Sequence, residues 1–499
     1  MTTEGWNRAK TCASALAPNL PYVDELLTPR SDEAIGELQK RAVQSTASSD
    51  TRDEWGQDYR SPGERDRDRV LYCSAFRRLA YVTQVAAPEA GHTFHNRLSH
   101  SLKVAQVGRR NAERLLEIAA QNGISGQAQA TVLSLDPGAV EASCLAHDLG
   151  HPPFGHIAEA ELNEIAKDYI QDDGVFEGNA QSFRIVTRLA QRSGGSGLNL
   201  TRQTLDGILK YPWRWWRQDP LSSRARERKW GFYKEDDEAH AFARAFSGGV
   251  DDDKQLPERS LEALIMEWAD DLTYAVHDTD DFFRAGLIPL HRLGEPTDDE
   301  FKRLHELLED AKQADLASWP RYTVDQLLDA IGTVAAAFAP AGGYRHGRAD
   351  RRLMRRFDSD LITRYMSAFR VEDVVASGKM RVFVNPDIVR EVEALKMLVR
   401  VYVIRRPGLA VVQHGQQRVV RELFEAYYAA SGEGKDGDRR IFPPGAKRTL
   451  DEGGNEPTRR ARVVVDLIAG LTEGTAVELH RRLYGEGTAV TLDATAHMA

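Results

Sequence analysis

From Asp66 onward one periodicity governs the chain: apolar residues return at steps of three and four, which places them on one face of a helix. Val70, Leu71, Ser74, Ala75, Arg78 and Leu79 open the pattern. Leu98 to Gln121 carries it through Leu102, Val104, Ala105, Ala112, Leu115 and Leu116, until Gly123 and Gly126 stop it. Ala139 to Leu149 is apolar enough for a buried helix and breaks at Pro152-Pro153. Ile157 to Ile170, Phe183 to Arg192 and Leu261 to Leu287 continue the series, the last with charges expected on one face only. Alternating apolar runs are scarce. Met380 to Val384 is the one short strand the pattern predicts, and no fixed-period repeat is visible. The fold class expected is mainly α, with few short strands.

At 499 residues and 55.8 kDa the chain exceeds a typical single domain. Residues 1–65 read as a polar N-terminal arm broken by Pro18, Pro21, Pro29 and Pro62, with one short helix around Asp32 to Val43. A helical core follows over 66–288, then further helices over 289–430. Residues 431–499 read as a loop insertion, Ser431 to Pro457, and a terminal helix, Arg459 to Tyr484. Cys12, Cys73 and Cys144 are too few for a disulfide framework. Met1 to Pro18 lacks the apolar stretch of a signal peptide, and no run is long enough to span a membrane, so a cytoplasmic location is expected. The net charge of -9 disfavours sequence-blind coating of nucleic acid, but a local basic pocket could still take a phosphorylated substrate.

The densest chemistry lies in His147-Asp148-Leu149-Gly150-His151-Pro152-Pro153-Phe154-Gly155-His156. Adjacent His and Asp at a helix end can both reach one divalent ion. His277-Asp278 has the same dipeptide without the prolines and further histidines. A mononuclear site needs more ligands, and His100 and Asp270 are the natural third and fourth. Each alone would serve equally as a helix cap or a solvated acid.

Several separated segments resemble a known family. They are Phe76-Arg77-Arg78-Leu79 with Thr83-Gln84-Val85, His95 to Gln106, His147 to His156 with Glu159, Phe176 to Gln181, Leu209 to Pro212 and Ala269 to Asp278. In this order they resemble the HD-domain metal phosphohydrolases, and among them the deoxynucleoside triphosphate triphosphohydrolases of the dGTPase-like branch. The resemblance covers about residues 66–280, with a looser likeness at Leu395-Lys396 and Tyr402 to Ile404. It implies an HD-type helical fold with additional C-terminal helices and a divalent metal (Mg, Mn, Fe or Co) held by His100, His147, Asp148 and Asp270. Catalysis falls to His156, with Glu159 as its acidic partner; His151, where relatives vary, is grouped with them.

The same resemblance assigns Arg97 to the α-phosphate and Lys210 and Tyr211 to the outer phosphates, with Lys229 or Lys234 as helper. Tyr274 would crowd the sugar 2′ position, and Asp278 would accept the 3′-hydroxyl with help from Gln84. Asn179, where some relatives carry a catalytic histidine, is grouped with the substrate contacts. The reaction implied is hydrolysis of a dNTP (dGTP or several) to deoxynucleoside and inorganic triphosphate, in a homo-oligomer, hexamer or tetramer. An HD-type phosphodiesterase or alarmone hydrolase is an alternative, as is a nucleotide-binding regulator with an inactive HD domain; Lys210, Tyr211, Tyr274 and Asp278 speak against the former.

Arg345, Arg348, Arg351, Arg352, Arg355 and Arg356 form a basic segment, with Leu353, Phe357 and Leu361 as its expected apolar stripe. Either it is a solvated helix face, or it binds the phosphates of an effector nucleotide or single-stranded DNA.

Overall fold

A computed structural model describes residues 24–42, 58–85, 94–170, 174–192, 195–216, 229–248, 256–316, 319–338, 342–433, 437–453 and 455–485. The expectations for Met1 to Pro18, Cys12 and Val43 lie outside the described residues. The helices that frame the site are α1 (Pro62–Tyr72), α2 (Arg97–Ala120), α3 (Pro137–Ala146), α4 (His156–Ala166), α5 (Gly178–Arg184), α6 (Arg202–Ile208) and α7 (Leu261–Arg284). The C-terminal half adds α8 (Arg348–Met366), α9 (Pro386–Val399), α10 (Pro407–Ala430), α11 (Pro457–Ala469) and α12 (Glu473–Leu483). The protein is mainly α, as its periodicity predicts. No helix among the described residues is long and apolar enough to cross a membrane.

Helix α7 is the axis of the larger core. Ser260 caps its start by accepting from the Ala263 amide. Leu264, Ile265, Trp268, Leu272, Ala275 and Val276 are all fully buried. Each such large side chain contributes about 1.5–3 kcal/mol of transfer free energy. Helices α2, α3, α6, α8 and α9 pack around it. Gly108 of α2 lets α3 approach, since a Cβ there would lie 2.4 Å from Cys144 Sγ.

The charges of α7 are not confined to one outer face. Glu262, Glu267, Asp271, Asp278, Asp280 and Asp281 are buried as well. Neighbouring segments supply most of the partners: Arg30, with a hydrogen bond from Gln203, for Glu262, Arg259 for Glu267, Lys396 for Asp271 and His95 for Asp281, while Arg284 from the last turn of α7 itself pairs with Asp280. The expected one-sided pattern fails because α7 is surrounded, and buried acids need dedicated partners.

A second apolar cluster joins α4 to α10, α11 and α12, through Ala158, Leu162 and Ala166 against Val420, Leu423, Val464, Ile468 and Leu479. The helix that begins with His156 is therefore packed on the C-terminal helices, whereas α2, α3 and α7 belong to the first core. Near the first core lies a three-stranded antiparallel sheet of β1 (Asp24–Leu27), β2 (Phe369–Val374) and β3 (Lys379–Val384) in the order β1-β3-β2. The central strand alternates buried Met380, Val382 and Val384 with half-buried neighbours, which is the signal that predicted it. Strand β1 pairs Glu25 with Val382 and carries buried Leu27 into the first core. The short helix expected from Asp32 runs to Glu37.

Two local expectations change. The single terminal helix is two, α11 and α12, separated by Gly470, Leu471 and Thr472, with Thr472 capping α12. Along α8 the buried stripe is Met354, Phe357, Leu361 and Tyr365, while Leu353 is 47% exposed. Steps of three, four and four keep the stripe on α7, whose Trp268 Nε1 donates to the Tyr365 carbonyl at 3.1 Å. Phe357→Ala should accordingly cost about 3–5 kcal/mol of stability, and Leu353→Ala less than about 0.5 kcal/mol. Urea midpoints of the two variants measure the difference, and equal shifts would reject this stripe.

Candidate metal centre and active site

Four side chains from three elements of the first core converge. His100 comes from the first turn of α2, where Asn96 and Ser99 form a reciprocal cap. His147 and Asp148 follow the last turn of α3, and Asp270 comes from the middle of α7. One ligand atom each from His100, His147 and Asp148 lies within 4.8 Å of the others. Asp270 Oδ1 is 3.0 Å from His100 Nε2 and 3.6 Å from His147 Nε2, which is also 3.6 Å from Asp148 Oδ1. Atoms bonded at about 2.1 Å to one ion sit about 3.0–3.4 Å apart, so these separations are close to those of a filled coordination shell.

The protonation chemistry fits a cation. His147 Nδ1 donates to the Cys144 carbonyl at 2.6 Å, which fixes the ring and turns Nε2 inward. That Nε2 is buried without a hydrogen-bond partner. Burial opposes charge on His147, but Asp148 and Asp270 outweigh it and raise its pKa to about 9. Burial likewise opposes ionisation of Asp148 and Asp270. His147 and Arg97 hold the first well below the usual range, and Lys210 and His100 hold the second there. A divalent ion can take the place of the proton that His147 retains between these two carboxylates.

Beside this cluster lies a second. His156 Nδ1 is 3.0 Å from Glu159 Oε2, and the imidazole is 73% exposed while the carboxylate is buried. Burial would raise the Glu159 pKa, yet His156 and Lys229 hold it well below normal. His151 packs edge-on to His156 with ring centroids 5.5 Å apart. Its Nδ1 comes within 3.0 Å of Asp148 Oδ1, outside hydrogen-bond geometry. Burial and then Arg97 lower its pKa to about 4, so it is neutral at pH 7. One ligand atom each from His151, His156 and Glu159 also falls within 4.8 Å of the others.

Arg97 is buried, and its Nη1 donates to Asp148 Oδ2 at 3.0 Å while its Nε has no partner. Lys210 Nζ lies 3.5 Å from Asp270 Oδ2, and burial is outweighed by Tyr211 and Asp270 in keeping it charged. Burial raises the pKa of the half-buried Tyr211 phenol, against the pull of Lys210 and Lys229. Of the two lysines left open by the sequence, Lys229 bridges Glu159 at 3.0 Å and Glu177 at 2.9 Å; Lys234 is exposed. Asn179 Nδ2 donates to Glu177 Oε1 at 2.8 Å. Tyr274 is half-buried, with burial and then Asp278 raising its pKa. Asp278 is the acid of α7 that lacks a neutralising bond: Oδ2 is unpartnered, and burial with Asp281 nearby keeps its pKa well above normal. Gln84 Oε1 is likewise buried and unpartnered.

Sequence reasoning passed over two groups. Glu177 caps α5, binds Asn179 and Lys229, and is buried. Arg78 is buried and donates to the Leu149 and His151 carbonyls at 2.7 and 2.8 Å, tying down the loop between His147 and His156. Both stood inside segments that resemble the family, but nothing local marked their partners.

The HD domain profile matches residues 97–275, which holds every group of the first cluster, and a phosphohydrolase-associated domain profile matches residues 382–482. The fold and site thus define an HD-domain phosphohydrolase. A deoxyguanosinetriphosphate triphosphohydrolase-like protein of Streptomyces coelicolor is 36% identical over 453 residues, covering 85% of this chain and 93% of its own length. Like-named proteins of Corynebacterium efficiens and Shewanella woodyi are 34% and 31% identical, each over 86% of this chain and 92% and 93% of their own lengths. The chain belongs to this deoxyguanosinetriphosphate triphosphohydrolase-like family.

His147→Ala and Asp148→Ala should each abolish binding of a divalent ion while His156→Ala retains it. Titration with Mn(II) followed by metal analysis of the folded variants measures this. Full occupancy in His147→Ala would dismiss the proposed ligands.

Proposed function

We propose that the protein hydrolyses a dNTP to the deoxynucleoside and inorganic triphosphate, with His100, His147, Asp148 and Asp270 holding a divalent metal (Mg, Mn, Fe or Co). The observation that carries this reading is the run Asp270, Tyr274 and Asp278 on one stripe of α7. It leads from the metal cluster to a buried carboxyl with an unpartnered oxygen. Kept neutral, Asp278 can both give and accept a hydrogen bond, as a sugar 3′-hydroxyl requires. Tyr274, one turn from Asp270, would fill the space a 2′-hydroxyl needs. Gln84 offers a second unpartnered acceptor. The relatives' names add support for a purine deoxynucleotide, dGTP or several dNTPs.

When bound, the metal would polarise a phosphoryl oxygen and make a neighbouring water more acidic. The protein's own groups supply the rest. Arg97, forked and buried, holds the α-phosphate; Lys210, Tyr211 and Lys229 meet the outer phosphates, and Asn179 and Glu177 brace Lys229. Water adds to the α-phosphorus opposite the 5′-oxygen. The P–O5′ bond breaks and triphosphate leaves whole. Glu159 holds His156 at Nδ1, which leaves Nε2 to pass a proton to the 5′-oxygen. Neutral His151 packs against His156 and limits the approaches open to its ring.

The exposed arginines of α8, among them Arg352 and Arg355, offer a surface for a second nucleotide or single-stranded DNA. A homo-oligomer, hexamer or tetramer, completes the proposal.

Incubation with each dNTP and a divalent metal, followed by product analysis, tests the reaction. Deoxynucleoside plus triphosphate is expected; a monophosphate plus pyrophosphate, or no turnover, rejects it. His156→Ala should lower kcat by about 10²- to 10⁴-fold. A near-normal kcat would remove His156 from proton transfer. Tyr274→Ala should bring kcat/KM for a ribonucleotide closer to that for its deoxy counterpart. An unchanged ratio would place sugar selection elsewhere.

A further inference from the structure

We infer that Glu473, the first residue of α12, is a positioning residue that fixes His156 against the metal-ligand cluster. The inference rests on the proposed role of His156. Glu473 lies more than 300 residues from His156 in sequence, yet its carboxylate spans two loops of the site. Oε1 accepts from the Thr83 amide at 2.8 Å and from the Phe154 amide at 3.2 Å, and Oε2 accepts from the Thr83 hydroxyl at 2.9 Å.

Both loops lead directly to functional groups. Thr83 precedes Gln84 and pairs with Asn96, the residue before Arg97, whose amide donates to Val82 O at 3.2 Å. Phe154 lies at φ +68 and Gly155 at φ +62, and His156 opens α4 immediately afterwards. A non-glycine residue with positive φ costs on the order of 1–3 kcal/mol unless its surroundings hold it there. The bond from the Phe154 amide is part of that hold. Replacing Gly155 would strain the turn rather than stiffen it, because its φ is +62 and a Cβ would lie 3.1 Å from Arg97 Nη2.

The need for such a clamp follows from the two apolar clusters. His156 stands on the C-terminal cluster and the metal ligands stand on the first, so apolar packing alone does not fix the distance between them. Glu473 carries a charge-assisted bond across the gap at the turn where His156 emerges. Arg78 makes a parallel tie, donating to Leu471 O at 3.1 Å as well as to the carbonyls of the metal loop.

Length, rather than charge, is the decisive property. Glu473→Asp keeps a carboxylate in the first turn of α12, where it suits the helix dipole, but withdraws it by one methylene. It should lower kcat by about 10- to 100-fold, the cost of a displacement on the order of 1 Å. KM, metal occupancy and Tm should stay near wild type. Glu473→Gln keeps the reach and a carbonyl that accepts from both amides, and should recover most of the rate. Hydrogen exchange of the metal-loaded chain supplies a readout independent of turnover. Peptides covering Phe154 to Glu159 should exchange faster in Glu473→Asp than in wild type, with α2 unchanged. If the wild-type chain releases no triphosphate, the proposed reaction fails and exchange alone judges Glu473. Wild-type kcat, or unchanged exchange at Phe154, in the Asp variant would overturn the inference; so would a lowered Tm with intact kcat in both variants.

Discussion

The neutralisation of acids inside α7 is the constraint on which the rest depends. A carboxylate taken out of water is tolerable only with a partner at bonding distance. Four of the partners come from four different segments: Arg30 from the N-terminal segment, His100 from α2, Lys210 from the loop after α6 and Lys396 from α9. Meeting the charges of one helix therefore ties those four segments to it. At the His100, His147, Asp148 and Asp270 cluster this network brings two carboxylates together and leaves His147 Nε2 unpartnered.

Asp278 shows the other way to bury an acid. Burial and the nearby Asp281 outweigh the pull of His95 and Arg97, so its pKa stands well above the usual carboxylate range. Two acids eight residues apart on one helix thus have their pKa moved in opposite directions, Asp270 well below the usual carboxylate range and Asp278 well above it. That difference puts a carboxylate partnered by His100 and Lys210 at one end of a single stripe and a carboxyl that favours its proton at the other. Glu159 and Glu177 repeat the theme on either side of Lys229: the former is held ionised by His156 and Lys229, while burial raises the pKa of the latter.

What was legible in the sequence follows from what is local. Helices announced themselves because each buries a face at fixed spacing, and the segment from His147 to His156 because it crowds uncommon residue types together. Phe357 and Leu361 on the α8 stripe are legible, but its first residue is Met354 rather than Leu353, since both are apolar and only the position of α7 decides between them. The break at Gly470 was hidden by strong apolar spacing on both sides, although Thr472 is an ordinary N-cap. Pairing over long separations leaves no local mark. Strand β1 and its partner are more than 350 residues apart, and the choice of Lys229 over Lys234 depends on where Glu177 sits. Arg78 shows the same limit within the site, being an arginine in an amphipathic helix until its carbonyl partners are known.

The two apolar clusters have a consequence for descent and recombination. The candidate ligands and His156 all lie within residues 97–275, yet the floor beneath His156 is supplied by α10, α11 and α12. A chimaera joining the front half of one relative to the back half of another would keep every conspicuous residue. It would still inherit the packing beneath His156 from the parent that contributed none of them. Drift in the back half is therefore a route by which members of such a lineage could diverge in rate while their signature residues stay identical.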